Sequence, residues 1–184
     1  MIGETQITNA TLSDATEAER QCKLQYTLSL ETLLRTHSWN FAEKRAVLAK
    51  LLETPPFEFK NYYQIPSDCI RILRTVTSSG AINYEDYKIE GRRIATDNEN
   101  VNIVYIANIT DPTQFDSMFV QSLIYYLASN LAMVLSDNRA LHDSLYQKYE
   151  VAFKNAKMID SQEGMPTKRT QKNGWVTFRS GWRT

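Results

Sequence analysis

Apolar side chains recur every three or four residues over residues 11–37, which predicts a long amphipathic helix. Ser13 or Asp14 is placed to cap the start of this helix. The stripe expected to face a core consists of Ala15, Ala18, Cys22, Tyr26, Leu30, Leu33 and Leu34. Leu24 and Leu28 lie off this stripe, so we expect a neighbouring subunit to cover them.

The middle of the chain changes to the two-residue alternation that is typical of β-strands. Residues 39–52 fit either a helix or a strand, and we favour a strand or a bent extended segment because His37-Ser38 resembles a helix exit. Further strands are predicted at residues 62–66, 69–76, 87–96 (a hairpin) and 101–106. Together they should form one small antiparallel sheet of three to five strands, with one face on the helices.

Two more helices are predicted after Asp111-Pro112, because proline suits the first position of a helix. The first covers residues 115–135. Ser136-Asp137 should cap the second, which ends near Asp160 and has an apolar stripe of Leu141, Leu145, Tyr149, Ala152, Ala156 and Ile159. The two helices should pack antiparallel, against the first helix and the sheet.

The first of these two helices raises the question of a membrane span. Residues 118–135 contain no charged side chain over eighteen positions, which is the lower limit for a spanning helix. Polar residues interrupt the run, and no basic cluster sets an orientation. We therefore predict a helix that protein buries on most sides, and no membrane partner.

The predicted fold is α+β, with a bundle of three long helices packed with a small antiparallel β-sheet, plus an extended C-terminal tail. At 184 residues the chain suits one such domain. We assign residues 1–163 to a core domain and residues 164–184 to a C-terminal docking arm that is flexible when unbound.

Charge divides the chain at the same boundary. Residues 1–163 contain all 21 acidic residues and 16 of the 21 basic ones, which gives a net charge of −5. Residues 164–184 have a net charge of +5. A basic segment beside an acidic body is typical of an interaction arm. Nucleic acid, an anionic surface and an acidic protein groove all fit as partners of such an arm.

The basic segment also contains three large aromatic residues. Aromatic and arginine side chains are the usual anchors of protein interfaces, and the same mixture stacks on single-stranded nucleic acid. We expect the segment to become ordered in a complex. The candidate docking residues are Lys168, Arg169, Lys172, Trp175, Phe178, Arg179, Trp182 and Arg183.

Motifs for catalysis, metal binding or cofactor binding are not recognisable in the sequence. His37 and His142 have no sequence-local catalytic partner. Residues 96–100 lack the glycine and the terminal glutamate of a calcium loop. Arg92 and Arg93 lie at a hairpin turn, where they are either solvated or in contact with phosphates. We predict a protein that is not an enzyme and binds no cofactor.

The order of these segments resembles a known family. The blocks that carry the resemblance are HSWNFAEKRAVLA, YYQIPSDCIRIL, YKIEGRRIATD, VNIVYI and DPTQFDSMFVQSLIYYLASNLAMVLSDN. In this order they resemble the tail tubular protein A family, the head-to-tail adaptors of short-tailed bacteriophages. The resemblance covers residues 2–163.

This resemblance implies a structural role in the virion neck, after assembly in the cytoplasm of the bacterial host. Family members form a ring, commonly of twelve copies, which joins the portal protein to the tail nozzle or tube. Genomic double-stranded DNA passes through the lumen, and an acidic body suits a channel that does not grip DNA. The C-terminal extension typically docks on the portal. At the ring interface we place Leu24, Leu28, Arg92 and Arg93. The alternative function is a nucleic-acid-binding module that uses the basic aromatic tail.

Overall fold

The protein has a mixed α and β fold, as the sequence predicts in coarse terms. The structure is a computed structural model, and it describes residues 17–76 and 87–164. Within these residues the order of elements is α1 (Glu17–Thr36), β1 (Glu43–Val47), β2 (Asn61–Gln64), β3 (Cys69–Val76), β4 (Tyr87–Glu90), β5 (Arg93–Thr96), β6 (Asn102–Ala107), α2 (Ser117–Ser136) and α3 (Arg139–Glu163). Two single turns of 3-10 helix, Asn40–Ala42 and Pro112–Gln114, precede β1 and α2.

The strands form two antiparallel sheets of three strands each within the described residues, in the orders β1-β6-β3 and β2-β5-β4. The prediction of a single sheet is therefore wrong. The chain leaves one sheet for the other around Pro66, whose missing N–H cannot continue a strand ladder. Pro66 instead accepts a hydrogen bond from the Cys69 amide, which closes the turn between β2 and β3.

Strand positions agree closely with the alternation in the sequence. The ambiguous segment 39–52 is mainly extended, as favoured. It begins with the 3-10 turn Asn40–Ala42, and β1 follows this turn directly. The predicted hairpin is formed by β4 and β5, with Gly91 in the turn at φ 60°. Glycine adopts this left-handed conformation without the steric cost of a Cβ atom. Every residue of β6 after Asn102 is buried, because β6 is the central strand of its sheet.

Helix α1 places its C-terminal half in the core. Leu30, Leu33 and Leu34 of the predicted stripe are buried, together with Ser29. Ala18, Cys22 and Tyr26 of the same stripe are only half-buried. The predicted cap at Ser13 or Asp14 and the stripe residue Ala15 lie outside the described residues.

Helices α2 and α3 pack antiparallel, as predicted. Trp39 contacts Phe119 near the start of α2 and Phe153 in the second half of α3, while Tyr126 of α2 contacts Tyr149 of α3. The later part of one helix thus lies beside the earlier part of the other.

The junction between these two helices differs from its prediction. Asp137 is in the left-handed conformation and forms the C-cap of α2 through its backbone N–H. The predicted cap of α3 at Ser136-Asp137 is therefore wrong. Asn138 caps α3, because its side-chain oxygen accepts a hydrogen bond from the Leu141 amide at 3.0 Å. At the other end of α2, Asp116 is the N-cap and accepts from the amides of Met118 and Phe119.

The burial of α2 agrees in part with the prediction that protein covers most of its sides. Its buried residues are Phe119, Ser122, Leu123, Ser129 and Ala132, which share one side of the helix. In the single chain, 28% of its most apolar 18-residue window is buried. Over residues 118–135, five residues are buried, ten are half-buried and three, Gln121, Ile124 and Val134, are exposed. Within the described residues, α1 and α3 thus cover most of this helix at least in part.

Candidate functional site

Two of the predicted ring-interface residues line a groove beside α1. The exposed side of α1 forms one wall, and the β2–β3 and β4–β5 turns form the other. The groove has a volume of about 390 Å³ and is lined by Leu28, Glu31, Thr32, Arg35, Ser67, Asp68, Cys69, Ile70, Arg92 and Asn108. Two predicted residues that are far apart in sequence, Leu28 and Arg92, thus line one surface.

The four predicted ring-interface residues do not all share this groove. Leu24 and Leu28 are 56% and 52% exposed, one turn apart on α1. Arg92 donates to the Pro66 carbonyl at 2.5 Å, which holds its guanidinium beside the groove. Arg93 is half-buried elsewhere, with an ion pair to Glu53 at 2.7 Å. The structure therefore groups three of these residues on or beside the groove and separates Arg93 from them.

Asp68 organises the polar wall of the groove. Its carboxylate accepts hydrogen bonds from the Lys44 ammonium at 3.0 Å and the Tyr105 hydroxyl at 3.1 Å. Partial burial acts to raise the pKa of Asp68, but the hydrogen bonds from Lys44 and Tyr105 outweigh it and hold this pKa below its usual range. Burial and the bond to Asp68 raise the pKa of Tyr105 to about 12. At neutral pH this wall therefore has an ionised Asp68 and a neutral Tyr105.

Two further groups in the groove affect its chemistry. Burial raises the pKa of the Cys69 thiol, so this thiol is protonated and poorly nucleophilic at neutral pH. Within the described residues, the buried Oδ1 atom of Asn108 accepts no hydrogen bond. The groove thus has the mixed apolar and polar lining of an interaction surface, with no activated nucleophile in its wall.

A second polar cluster, the Asp160 clasp, joins the ends of α1 and α3. Asp160 is only 6% exposed. Its carboxylate contacts His37 Nε2 at 2.9 Å and accepts from the Asn40 amide at 2.9 Å, while its carbonyl accepts from the Asn40 side chain at 2.6 Å. The sequence prediction missed this cluster. The available signal was that Asp160 follows Ala156 by four residues and so occupies a core position of the apolar stripe.

Trp39 is the centre of the core beside this clasp. It is fully buried, and its indole N–H donates to the Leu33 carbonyl at 2.8 Å, which satisfies an orphan carbonyl near the end of α1. Its ring packs edge-on against His37 and Phe119, with ring centroids 4.8 and 5.0 Å apart. The WNF segment, residues 39–41, is therefore a packing element.

Helices α2 and α3 form a second exposed surface. Ile124 and Val134 of α2 and Val151 of α3 are exposed. A groove of about 430 Å³ between the two helices is lined by Gln121, Tyr125, Ser144, Gln147, Lys148, Val151, Ala152 and Asn155. Within the described residues, α2 is also the one helix that is long and apolar enough to span a membrane by length and composition. The core helix of a soluble protein meets the same criteria, and the absence of a membrane partner stays a prediction.

The candidate docking residues of the basic segment, residues 168–183, all lie outside the described residues. Among residues 17–76 and 87–164, no three His, Cys, Asp or Glu side chains are grouped to hold a metal ion. His37 contacts Asp160, and His142 contacts Asp143 at 3.0 Å in a solvent-exposed pair. The prediction that the protein is not an enzyme stays a prediction.

The comparisons with known proteins add no relative. This chain matches no known protein-family model and no curated protein. The resemblance to the tail tubular protein A family accordingly stays a prediction from the sequence blocks.

Proposed function

We propose that this protein is a structural subunit of a head-to-tail adaptor ring in a bacteriophage neck. The observation that carries the proposal is the presence of two separate exposed surfaces with apolar side chains on one chain. The first includes Leu24 and Leu28 on α1, and the second is the α2–α3 groove, which is lined by Tyr125 and by the exposed Val151. A ring built from identical subunits needs two different, complementary surfaces on each subunit.

The charge distribution supports the same function. A net charge of −5 over residues 1–163 suits the wall of a channel through which DNA slides without binding. A net charge of +5 over residues 164–184 suits an arm that docks on an acidic protein groove, which is the portal protein in this proposal. The ring, commonly of twelve copies in the resembling family, would join the portal to the tail nozzle or tube within the virion.

Assembly with portal rings tests the proposal directly. We expect size-exclusion chromatography with light scattering to show a ring, either for the protein alone or after addition of its portal protein. Deletion of residues 165–184 should abolish portal docking and leave the thermal unfolding of the core unchanged. A protein that stays monomeric and ignores portal rings would refute the adaptor function.

The basic aromatic segment favours a second candidate, a nucleic-acid-binding module. An electrophoretic shift assay with single-stranded DNA distinguishes it. Binding that weakens steeply as salt rises, and that is lost on deletion of residues 165–184, would favour this candidate over the adaptor.

A further inference from the structure

The exposed side of α1 forms a straight ridge of mixed character. The ridge consists of four residues at spacings of four, three and four, which places them in one row along the helix. These residues are Leu24, Leu28, Glu31 and Arg35. All four are exposed. Leu24 and Arg35 are eleven positions apart, which corresponds to about 16 Å along an α-helix.

The groove between α2 and α3 has a matching length. It extends along α3 from Ser144 to Asn155, which are again eleven positions and about 16 Å of helix apart. Tyr125 and Val151 give it an apolar lining, and Val151 is 63% exposed in the single chain. Lys148 is the charged residue of this lining, and its ammonium has no ion-pair partner within residues 17–76 and 87–164.

We propose, building on the adaptor-ring function above, that the α2–α3 groove receives the α1 ridge of a second copy of this chain. In this contact Leu28 enters the groove beside Val151, and Glu31 lies against Lys148. Burial of the exposed leucine and valine side chains provides the affinity, because removing apolar surface from water is the main driving force of association. The opposite charges of Glu31 and Lys148 set the register along the groove.

Two observations favour a second copy as the occupant. Glu31 of the ridge is opposite in charge to Lys148 of the groove. The ridge and the groove also share no residue, so both can be occupied at once. Each added subunit buries one ridge and one groove and leaves one of each free. Such a heterologous contact continues until the ring closes, whereas a ridge-to-ridge contact would stop at a dimer.

A pair of complementary variants tests this geometry. Leu28→Glu blocks the ridge and Val151→Glu blocks the groove, and both positions are exposed, so the fold should be retained. Each variant alone should be monomeric by sedimentation velocity, with or without portal rings. An equimolar mixture should form a dimer of twice 21.2 kDa and no larger species, because each variant keeps one intact surface.

Exchange of the two charges tests the register. Glu31→Lys alone and Lys148→Glu alone should each weaken self-association by about tenfold at low salt, which is the size of a modest interfacial charge pair. The double variant should recover to within about threefold of the wild type. Lys154→Glu is the matched control, because Lys154 is exposed on α3 but does not line the groove, and it should assemble as the wild type does.

The outcomes separate this inference from the proposed function. Rings that form but ignore portal protein would refute the adaptor function and support the ridge–groove contact, provided that Leu28→Glu and Val151→Glu block them. Rings that tolerate both substitutions would overturn the ridge–groove contact alone. A wild-type chain that stays monomeric with and without portal rings would overturn both proposals. Insertion of the wild-type chain into neutral lipid vesicles would also overturn both.

Discussion

Replacement of Asp160 by alanine should destabilise the domain strongly, although Asp160 lies near a helix end. A negative charge in the last turn of a helix opposes the helix dipole, so local preference disfavours aspartate there. The structure shows the compensation, which is the contact with His37 and the hydrogen bond from the Asn40 amide, both at 2.9 Å. Asp160→Ala removes both contacts and leaves the Asn40 amide without its acceptor.

The expected loss is about 3 kcal/mol of unfolding free energy. A hydrogen bond to a charged group contributes about 1.5–3 kcal/mol, and two such contacts at the lower value give this figure. For a domain of this size each 1 kcal/mol shifts the melting temperature by about 2–4 °C, so Tm should fall by about 6–12 °C. Asp160→Asn keeps an acceptor for the Asn40 amide and should lose only about 1 kcal/mol.

Urea denaturation followed by circular dichroism measures both variants. Asp143→Ala is the matched control, because Asp143 also contacts a histidine on α3 but is solvent-exposed. This control should change the unfolding free energy by less than about 0.5 kcal/mol. If Asp160→Ala were no more destabilising than Asp143→Ala, the buried contacts of Asp160 would not stabilise the fold, and our account of the clasp would be refuted.

Three other substitutions test local features. Gly91→Ala should cost about 1 kcal/mol of unfolding free energy in urea denaturation, because a residue with a Cβ atom is strained at the left-handed φ of 60°. The added Cβ would meet no atom within 4 Å, so the cost comes from the backbone alone, and an unchanged midpoint would contradict this. Asp137→Gly should raise the unfolding free energy by about 0.5–1 kcal/mol, because glycine adopts the φ of 45° freely; a lower unfolding free energy would show that the aspartate stabilises the junction. Asp68→Asn should reduce the acid sensitivity of the fold. The folded pKa of Asp68 is depressed, so its stabilising contribution is present above its ordinary value of 3.8 and is lost as pH falls from there through the folded pKa. Denaturation at pH 6 and at pH 3 should show a smaller difference for the variant than for the wild type, and an equal difference would contradict the assignment.

Local periodicity predicted most elements because each strand and helix is encoded by its own residues. The choice of strand partners is not encoded locally, which is why one sheet was predicted where two exist. Alternation places β3 and β5 correctly, yet it says nothing about which neighbour each strand selects. The Asp160 clasp was missed for a similar reason, since its partners His37 and Asn40 are 123 and 120 residues away.

Helix α2 shows a second limit of sequence patterns. Its apolar composition is the same whether its own chain or another copy covers it, so the sequence predicted burial on most sides. Within the described residues most positions of α2 are buried or half-buried, whereas Ile124 and Val134 stay exposed. An apolar helix surface exposed in this way is typical of a protein–protein contact. The pattern thus predicts that α2 is covered, but it does not indicate which surface covers Ile124 and Val134.

The block HSWNFAEKRAVLA is one of those on which the predicted family resemblance rests, yet several of its residues act within the fold. His37 and Asn40 hold Asp160, while Trp39 and Phe41 pack against Phe119. A block of this kind indicates a shared packing scheme, and the same fold serves unrelated functions. Substitutions in this block should therefore reduce stability and assembly together.

The ridge on α1 is different, because Leu24 and Leu28 are largely exposed and, among the described residues, do not belong to the hydrophobic core. Substitution there should reduce assembly and leave stability unchanged. Comparison of Leu28→Glu with Asp160→Ala, by unfolding and by sedimentation, thus separates the residues that build the subunit from those that join subunits. If Leu28→Glu lowered stability as much as Asp160→Ala, the ridge would belong to the fold, and the argument for a ring surface on α1 would fail.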